Sequence, residues 1–247
     1  MALREEFEST GNWLFRWRSY LPIAMIVVIL LGIQSMEERP PERIHLLIDM
    51  IALCISFIGL GIRVVVIGYK AKKTSGGNVD CQVADVLNTT GMYSLVRHPL
   101  YLGNFIIWVG ISMVFQTWWM TLIVVLIFWL YYERIAFAEE EFLRKKFGDQ
   151  YVQWSSGTPA FIPSFKKLHW KTPQLHFSWK KVLGKEYAGF FAIILCFTFL
   201  KVLISVIKSG SFSIDPIWIY IFSGGLCIYL TLRLLKRCTH VLSTPDR

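Results

Sequence analysis

Apolar residues fall into six blocks along this chain, at residues 20–35, 44–69, 100–115, 118–132, 187–207 and 214–235. A helix that crosses a bilayer needs about 20 mostly apolar residues. The first, third and fourth blocks are short by that standard. Blocks three and four read as one tight helical hairpin turning at Gln116-Thr117-Trp118, or as two oblique, half-buried helices. Two adjacent Trp, 118 and 119, suit a turn at the lipid–water interface. In hydrocarbon, each helix must satisfy its own backbone polar groups. The pattern therefore predicts an all-α, polytopic integral membrane bundle of about six transmembrane helices.

The polar stretches divide the chain into three parts: 1–79, 80–165 and 166–247. Residues 1–19 are partly amphipathic, with Trp13, Phe15 and Trp17 placed for the interface. The loop 36–43 joins the first two blocks. The loop 70–96 contains Gly76-Gly77 and is long enough to fold over a site. Residues 133–153 read as a charged helix continuing out of block four. Thr158-Pro159-Ala160-Phe161-Ile162-Pro163 forms an extended strap fixed by its prolines. Residues 164–186 are basic and Trp-rich, as in a segment lying on a membrane surface. No repeat or low-complexity tract is visible.

Composition supports the membrane reading. Hydrophobic residues make up 54% of the 247 positions, and mean hydropathy is +0.47. Charged residues are 17%, against about 25% in soluble domains. With both termini in the cytoplasm, the outer loops hold only Arg39, Arg43 and Lys208, and nearly all other Lys and Arg fall inside. The net charge of +9 then reflects topology and attraction to anionic headgroups. Nucleic acid is not an expected partner, because no soluble basic face is present. Arg63 and Lys201 lie deep in spans and are expected to pair or snorkel. No cleavable signal peptide is expected, and the first apolar block reads as a retained helix. The five Cys show no paired spacing, so neither a disulfide framework nor a metal site is expected; Cys54, Cys196 and Cys227 read as small core residues.

The candidate chemistry sits at two polar clusters flanking the 100–132 hairpin, which must lie on one side of the membrane. The first runs from Gly91 through Tyr93, Arg97, His98, Pro99 and Tyr101 to Gly103. Pro99 suits the first turn of a helix, and that helix N-terminus can hold a carboxylate or phosphate. The second contains Arg134 and Glu139-Glu140-Glu141. Consecutive helical residues point about 100° apart, so at most one or two of these Glu turn to a site and the rest are solvated.

The ordered set Gly91, Tyr93, Arg97-His98-Pro99-Leu100-Tyr101, Gly103, Glu139-Glu140, Leu143, Phe147-Gly148, Tyr151 and Pro163 resembles the C-terminal half of isoprenylcysteine carboxyl methyltransferases and phospholipid methyltransferases. The resemblance covers about residues 80–165. It implies an S-adenosylmethionine pocket beneath cytosolic loops and a lipid tunnel from the bilayer. Implied cofactor contacts are Asn88, Tyr93, Arg97, His98, Pro99, Leu100, Tyr101, Glu139 and Glu140. Glu139 and Arg134 are the expected catalytic pair, with Arg134 on the substrate headgroup. Family members often carry this Arg one position later, where this chain has Ile135.

Methyl transfer from a sulfonium needs positioning and electrostatics more than a covalent nucleophile. An anionic acceptor needs no general base, which favours O-methylation of a lipid phosphate, such as that of lipid A, or a prenylcysteine-type carboxylate. The expected partners are a membrane lipid or lipidated substrate, and the expected place is a multi-pass membrane protein with cytoplasmic catalytic loops, in the inner membrane if the source is bacterial. Three alternatives remain: phospholipid amine N-methylation, an NADPH-dependent lipid or sterol reductase, and a non-enzymatic membrane role. Leu100 and Asn104 depart from the pattern of the reductases.

Overall fold

A computed structural model describes residues 2–17, 20–34, 36, 42–70, 84–164, 170–212, 214–239 and 241–242. Its helices, in chain order, are α1 (Leu3–Trp17), α2 (Leu21–Gln34), α3 (Glu42–Tyr69), α4 (Pro99–Ser112), α5 (Trp118–Phe147), α6 (Asp149–Gly157), α7 (Trp179–Ser209) and α8 (Pro216–Cys238). Among the described residues the elements are helices, as the apolar blocks predict. Stretches within α3, α5, α7 and α8 are long and apolar enough to cross a membrane. The helical stretch Pro99–Phe115 is shorter, and α2 has 14 residues, about 21 Å of rise. The expected count of six crossings rests on those two short helices.

Local chemistry sets the helix ends. Pro99 and Pro216 open α4 and α8 at positions where a missing N–H costs nothing. The Ser178 side chain accepts from Lys181 N–H, and the Asp215 side chain accepts from Ile217 N–H. The Ser178 cap starts α7 at Trp179, eight residues before the apolar block begins. The expected turn after Pro99–Phe115 is present, with Gln116 left-handed at φ 54°. The charged helix expected over 133–153 is split. α5 runs unbroken to Phe147, Gly148 takes φ 53°, and α6 follows.

α3 and α4 pack through small residues, which lets their backbones approach. A Cβ on Gly59 would sit 2.5 Å from the Gly103 carbonyl oxygen; one on Gly103 would sit 2.8 Å from Arg63 Cγ. The main core joins α2, α3, α7 and α8 around Ile33, Leu53, Phe197, Leu200 and Trp218. A second core gathers Phe15, Tyr101, Phe128, Tyr132 and Ile135 where α1 meets α4 and α5. Lys201 does pair, with buried Asp49 of α3. Cys54 and Cys227 are exposed on the outer surface rather than in the core, because small apolar residues are also tolerated on a lipid-facing helix side. Residues 170–178, part of the stretch expected on the membrane surface, also contact the end of α3. Ser178 N–H donates to Gly68 O at 3.0 Å, and Phe177 packs edge-on against Tyr69. The Gly76-Gly77 pair lies outside the described residues.

Candidate functional site

The approach to α4 is built by a short 3-10 turn over Gly91–Ser94. Gly91 enters it at φ 62°, the left-handed region that favours glycine. Its N–H donates to Lys171 O at 2.8 Å, and the Ser94 hydroxyl donates to Gly91 O at 2.7 Å. The chain then runs beside the proline strap. Arg97 N–H donates to Pro159 O at 2.8 Å and His98 N–H to Ala160 O at 3.0 Å. The Arg97 guanidinium completes this joint. It donates to the carbonyls of Ser155 (3.0 Å) and Thr158 (2.8 Å) and to both carboxylate oxygens of Glu140 (2.8 and 3.3 Å). Arg97 thereby ties the entrance of α4 to α5, α6 and the strap.

His98 sits just before α4, 5% exposed, between the two carboxylates of α5. Its Nε2 lies 2.9 Å from Glu140 Oε1 and its Nδ1 lies 3.7 Å from Glu139 Oε2. The ring is sandwiched between Tyr101 and Phe161, with centroids 5.5 and 5.3 Å away. Tyr101 donates its hydroxyl hydrogen to Glu139 Oε2 at 2.9 Å. Burial opposes the imidazolium, but hydrogen bonds and attraction from Glu139 and Glu140 outweigh it and raise the His98 pKa. Burial, helped by the Glu139 charge, holds the Tyr93 phenol well above its usual value, so it stays protonated.

The three consecutive Glu part company, as the 100° helical step requires. Glu139 faces a cavity of about 220 Å³. Glu140 lies behind it, on Arg97 and His98. Glu141 turns to α1 and accepts from Arg4. It is 4% exposed, so the expectation that the remaining Glu are solvated fails here: α1 covers it.

The cavity brings together Asn88, Tyr93, Arg97, His98, Pro99, Leu100, Tyr101 and Glu139 of the expected set. Arg134 is not among its lining residues. Its guanidinium lies 3.9 Å over the Phe7 ring, donates to the Thr10 hydroxyl at 3.3 Å and pairs with Glu6 at 3.9 Å. Seven further lining residues fall outside the expected set; besides the aliphatic Ile67, Leu87 and Leu143 they are Arg63, Asn104, Tyr132 and Trp154. For Arg63 a signal is present in the sequence, since a cation inside an apolar helix marks a functional position by default. Asn104 is a polar interruption of an apolar block. Nothing in the sequence marks Tyr132 or Trp154, which reach the cavity through the packing of α5 and α6.

Comparison with known proteins falls on this same region. The phospholipid methyltransferase family matches residues 50–150. Protein-S-isoprenylcysteine O-methyltransferase of Schizosaccharomyces pombe is 37% identical over 78 residues, 32% of this chain and 33% of that protein. Protein-S-isoprenylcysteine O-methyltransferase B of Arabidopsis thaliana is 35% identical over 79 residues, 31% of this chain and 39% of that protein. The nickel-cobalt-cadmium resistance protein NccN of Alcaligenes xylosoxydans xylosoxydans is 36% identical over 77 residues, 31% and 36% of the two chains. The chain thus spans about a third of the length of the curated relatives it matches. No solved structure matches it. Residues 50–150, which carry most of α3, all of α4 and α5 and nearly the whole cavity wall, are thus similar to the membrane methyltransferases of the isoprenylcysteine carboxyl and phospholipid methyltransferase families.

Proposed function

We propose that the chain is a multi-pass membrane methyltransferase that takes its methyl group from S-adenosylmethionine and places it on an oxygen of an anionic lipid group. That group is a lipid phosphate, such as that of lipid A, or a prenylcysteine-type carboxylate. The observation that carries this reading is the chain Tyr101–Glu139–His98–Glu140–Arg97, buried at its first three members and half-buried at the last two, at the wall of a cavity at the start of α4.

The residues fit such a cofactor by the chemistry of their donor set. Bound there, S-adenosylmethionine supplies an electrophilic methyl group on a sulfonium cation. The rings of Tyr93, Tyr101 and Tyr132 and the carboxylate of Glu139 favour a cation. The first turn of α4, beginning at Pro99 and Leu100, favours an anion such as an amino-acid carboxylate. Asn88 adds an amide at the wall. At about 220 Å³ the space is smaller than the roughly 300–1,000 Å³ of common ligand sites, which suits enclosure of the reacting end rather than the whole cofactor.

The choice of oxygen over nitrogen rests on His98. An amine acceptor must lose a proton, whereas a phosphate or carboxylate oxygen arrives with its lone pair free. Both ring nitrogens of His98 face a carboxylate, and Glu139 and Glu140 raise its pKa, an arrangement that favours the imidazolium over a free base. Two of the relatives are named as O-methyltransferases. The surplus of Lys and Arg on one side supports a cytoplasmic position for this end of the bundle.

The test is transfer of label. The purified chain in mild detergent is given methyl-labelled S-adenosylmethionine and a total lipid extract from its source. Mass spectrometry of the organic phase should find a lipid that gains one methyl on a phosphate or carboxylate oxygen. Label on an amine nitrogen would replace this reading with phospholipid N-methylation. Absence of both labelled lipid and cofactor binding would sink the methyltransferase reading.

A further inference from the structure

Three cations line the cavity, and two of them are committed to the protein. Arg97 makes four hydrogen bonds to Ser155, Thr158 and Glu140. His98 faces a carboxylate at each ring nitrogen. Arg63 differs. Its Nε donates to Glu186 Oε2 at 2.9 Å, one terminal nitrogen donates to Glu186 Oε1 at 2.8 Å, and the other donates to Asn104 Oδ1 at 2.7 Å. A guanidinium has five N–H groups. One on each terminal nitrogen therefore has no partner among the described residues.

The neighbours of Arg63 sharpen this. Glu186, 5% exposed, has both oxygens turned to Arg63. Asn104 gives its carbonyl oxygen to the same guanidinium, so its amide nitrogen brings two more N–H donors to the cavity wall. Every acceptor oxygen of this cluster already takes a bond from Arg63, while N–H donors are left over. Such a wall suits an anion. Gly103 makes the arrangement possible, since a Cβ there would meet the Arg63 stem at 2.8 Å.

We infer that Arg63 and Asn104 form the seat for the anionic group of the lipid acceptor, with Glu186 of α7 as the residue that positions Arg63. This rests on the proposed methyl transfer for its role, though not for its chemistry. Asn104 lies five residues into α4 from Pro99, about 7.5 Å deeper in the bundle than the His98 end. Arg63 lies six residues before the end of α3, about 9 Å from it. The seat is therefore on the membrane side of the cavity and the carboxylate network on the polar side, so that two charged ligands meet between them. The α7–α8 hairpin thereby acquires a role in the site. Glu186 brings the last two helices to the cavity, and the matched core alone does not hold them.

The experiment uses dodecyl phosphate as probe, in neutral maltoside micelles, with binding measured by calorimetry alongside S-adenosylmethionine binding and methyl-transfer kinetics. Arg63→Ala should weaken dodecyl phosphate binding about 10–100-fold, the range expected for lost charge-assisted hydrogen bonds. It should raise the acceptor KM similarly and leave S-adenosylmethionine affinity unchanged. Asn104→Asp keeps the oxygen that Arg63 holds but faces the cavity with an acceptor; it should weaken the probe as much, and carries the test if Arg63→Ala does not fold. Glu186→Gln should raise the acceptor KM while kcat and cofactor affinity hold, a split that general unfolding does not produce. Unchanged probe binding in the folded variants, or a loss confined to S-adenosylmethionine, would overturn the inference. A wild-type chain that binds dodecyl phosphate through Arg63 yet transfers no methyl would sink the proposed reaction and leave the seat standing.

Discussion

Tyr101 donates to Glu139 Oε2 at 2.9 Å across the gap between α4 and α5, with both residues less than a tenth exposed. This bond fixes the one carboxylate of α5 that faces the cavity. Tyr101→Phe keeps the ring that stacks on His98 and removes the donor. A buried carboxylate that loses a partner costs about 1–3 kcal/mol. Thermal unfolding in detergent should show a loss of that size, together with weaker S-adenosylmethionine binding. Full cofactor affinity in Tyr101→Phe would show that this bond does not hold Glu139 in place for the ligand.

His98 makes stability depend on pH. Burial disfavours its charge, and Glu139 and Glu140 more than compensate, so its pKa is raised in the folded chain. In the unfolded chain it titrates near about 6.5. The stabilisation is therefore complete below about pH 6.5 and is lost as pH rises through the raised folded value. The wild-type Tm should fall as pH rises above about 6.5, and His98→Asn should flatten that slope. A wild-type Tm that rises over this window would contradict the assignment.

α1 docks on α5 through Gly11. A Cβ at that position would run into the Arg134 backbone carbonyl and would sit 2.8 Å from the Ala138 side chain. Around this contact lie Arg4 with Glu141, Glu8 with Lys145, and Arg134 over Phe7. Gly11→Ala should cost about 1–3 kcal/mol through overpacking and loosen α1. Limited proteolysis should then cut near Arg4 and Arg16 in the variant before the wild type. Arg134→Ala separates two roles for this residue: faster cleavage within α1 would mark it as an anchor, and lost turnover with intact α1 would mark it as a headgroup residue.

Lys201 and Asp49 pair between α7 and α3, with Asp49 2% exposed. Removing one member of a buried ion pair costs about 3–5 kcal/mol, because the other charge is left without compensation. Lys201→Met should lose about that much stability in a detergent melt. The double variant Lys201→Met with Asp49→Leu should recover most of it. Equal losses in the single and double variants would show that the pair carries no coupling.

The sequence by itself determined a helical bundle with stretches apolar enough to cross a membrane, where its main turns fall, and which two polar clusters flank the 100–132 hairpin. Those conclusions rest on short-range rules: apolar run length, proline at a helix start, and the 100° step that separates Glu139, Glu140 and Glu141. They hold because each depends only on neighbours along the chain. Tertiary structure decided the rest. Arg134 and Arg63 are both Arg on apolar helices, and nothing local says which one reaches a cavity. The difference arises because Gly11 lets α1 cover Arg134, while Gly59 and Gly103 bring α3 close enough to α4 for Arg63 to reach Asn104. Glu186 lies 123 residues from Arg63 in the chain, and only the docking of α7 on α3 places its carboxylate there. Burial, close helix approach and the pairing of distant charges are properties of the packed bundle, and no single segment of sequence contains them.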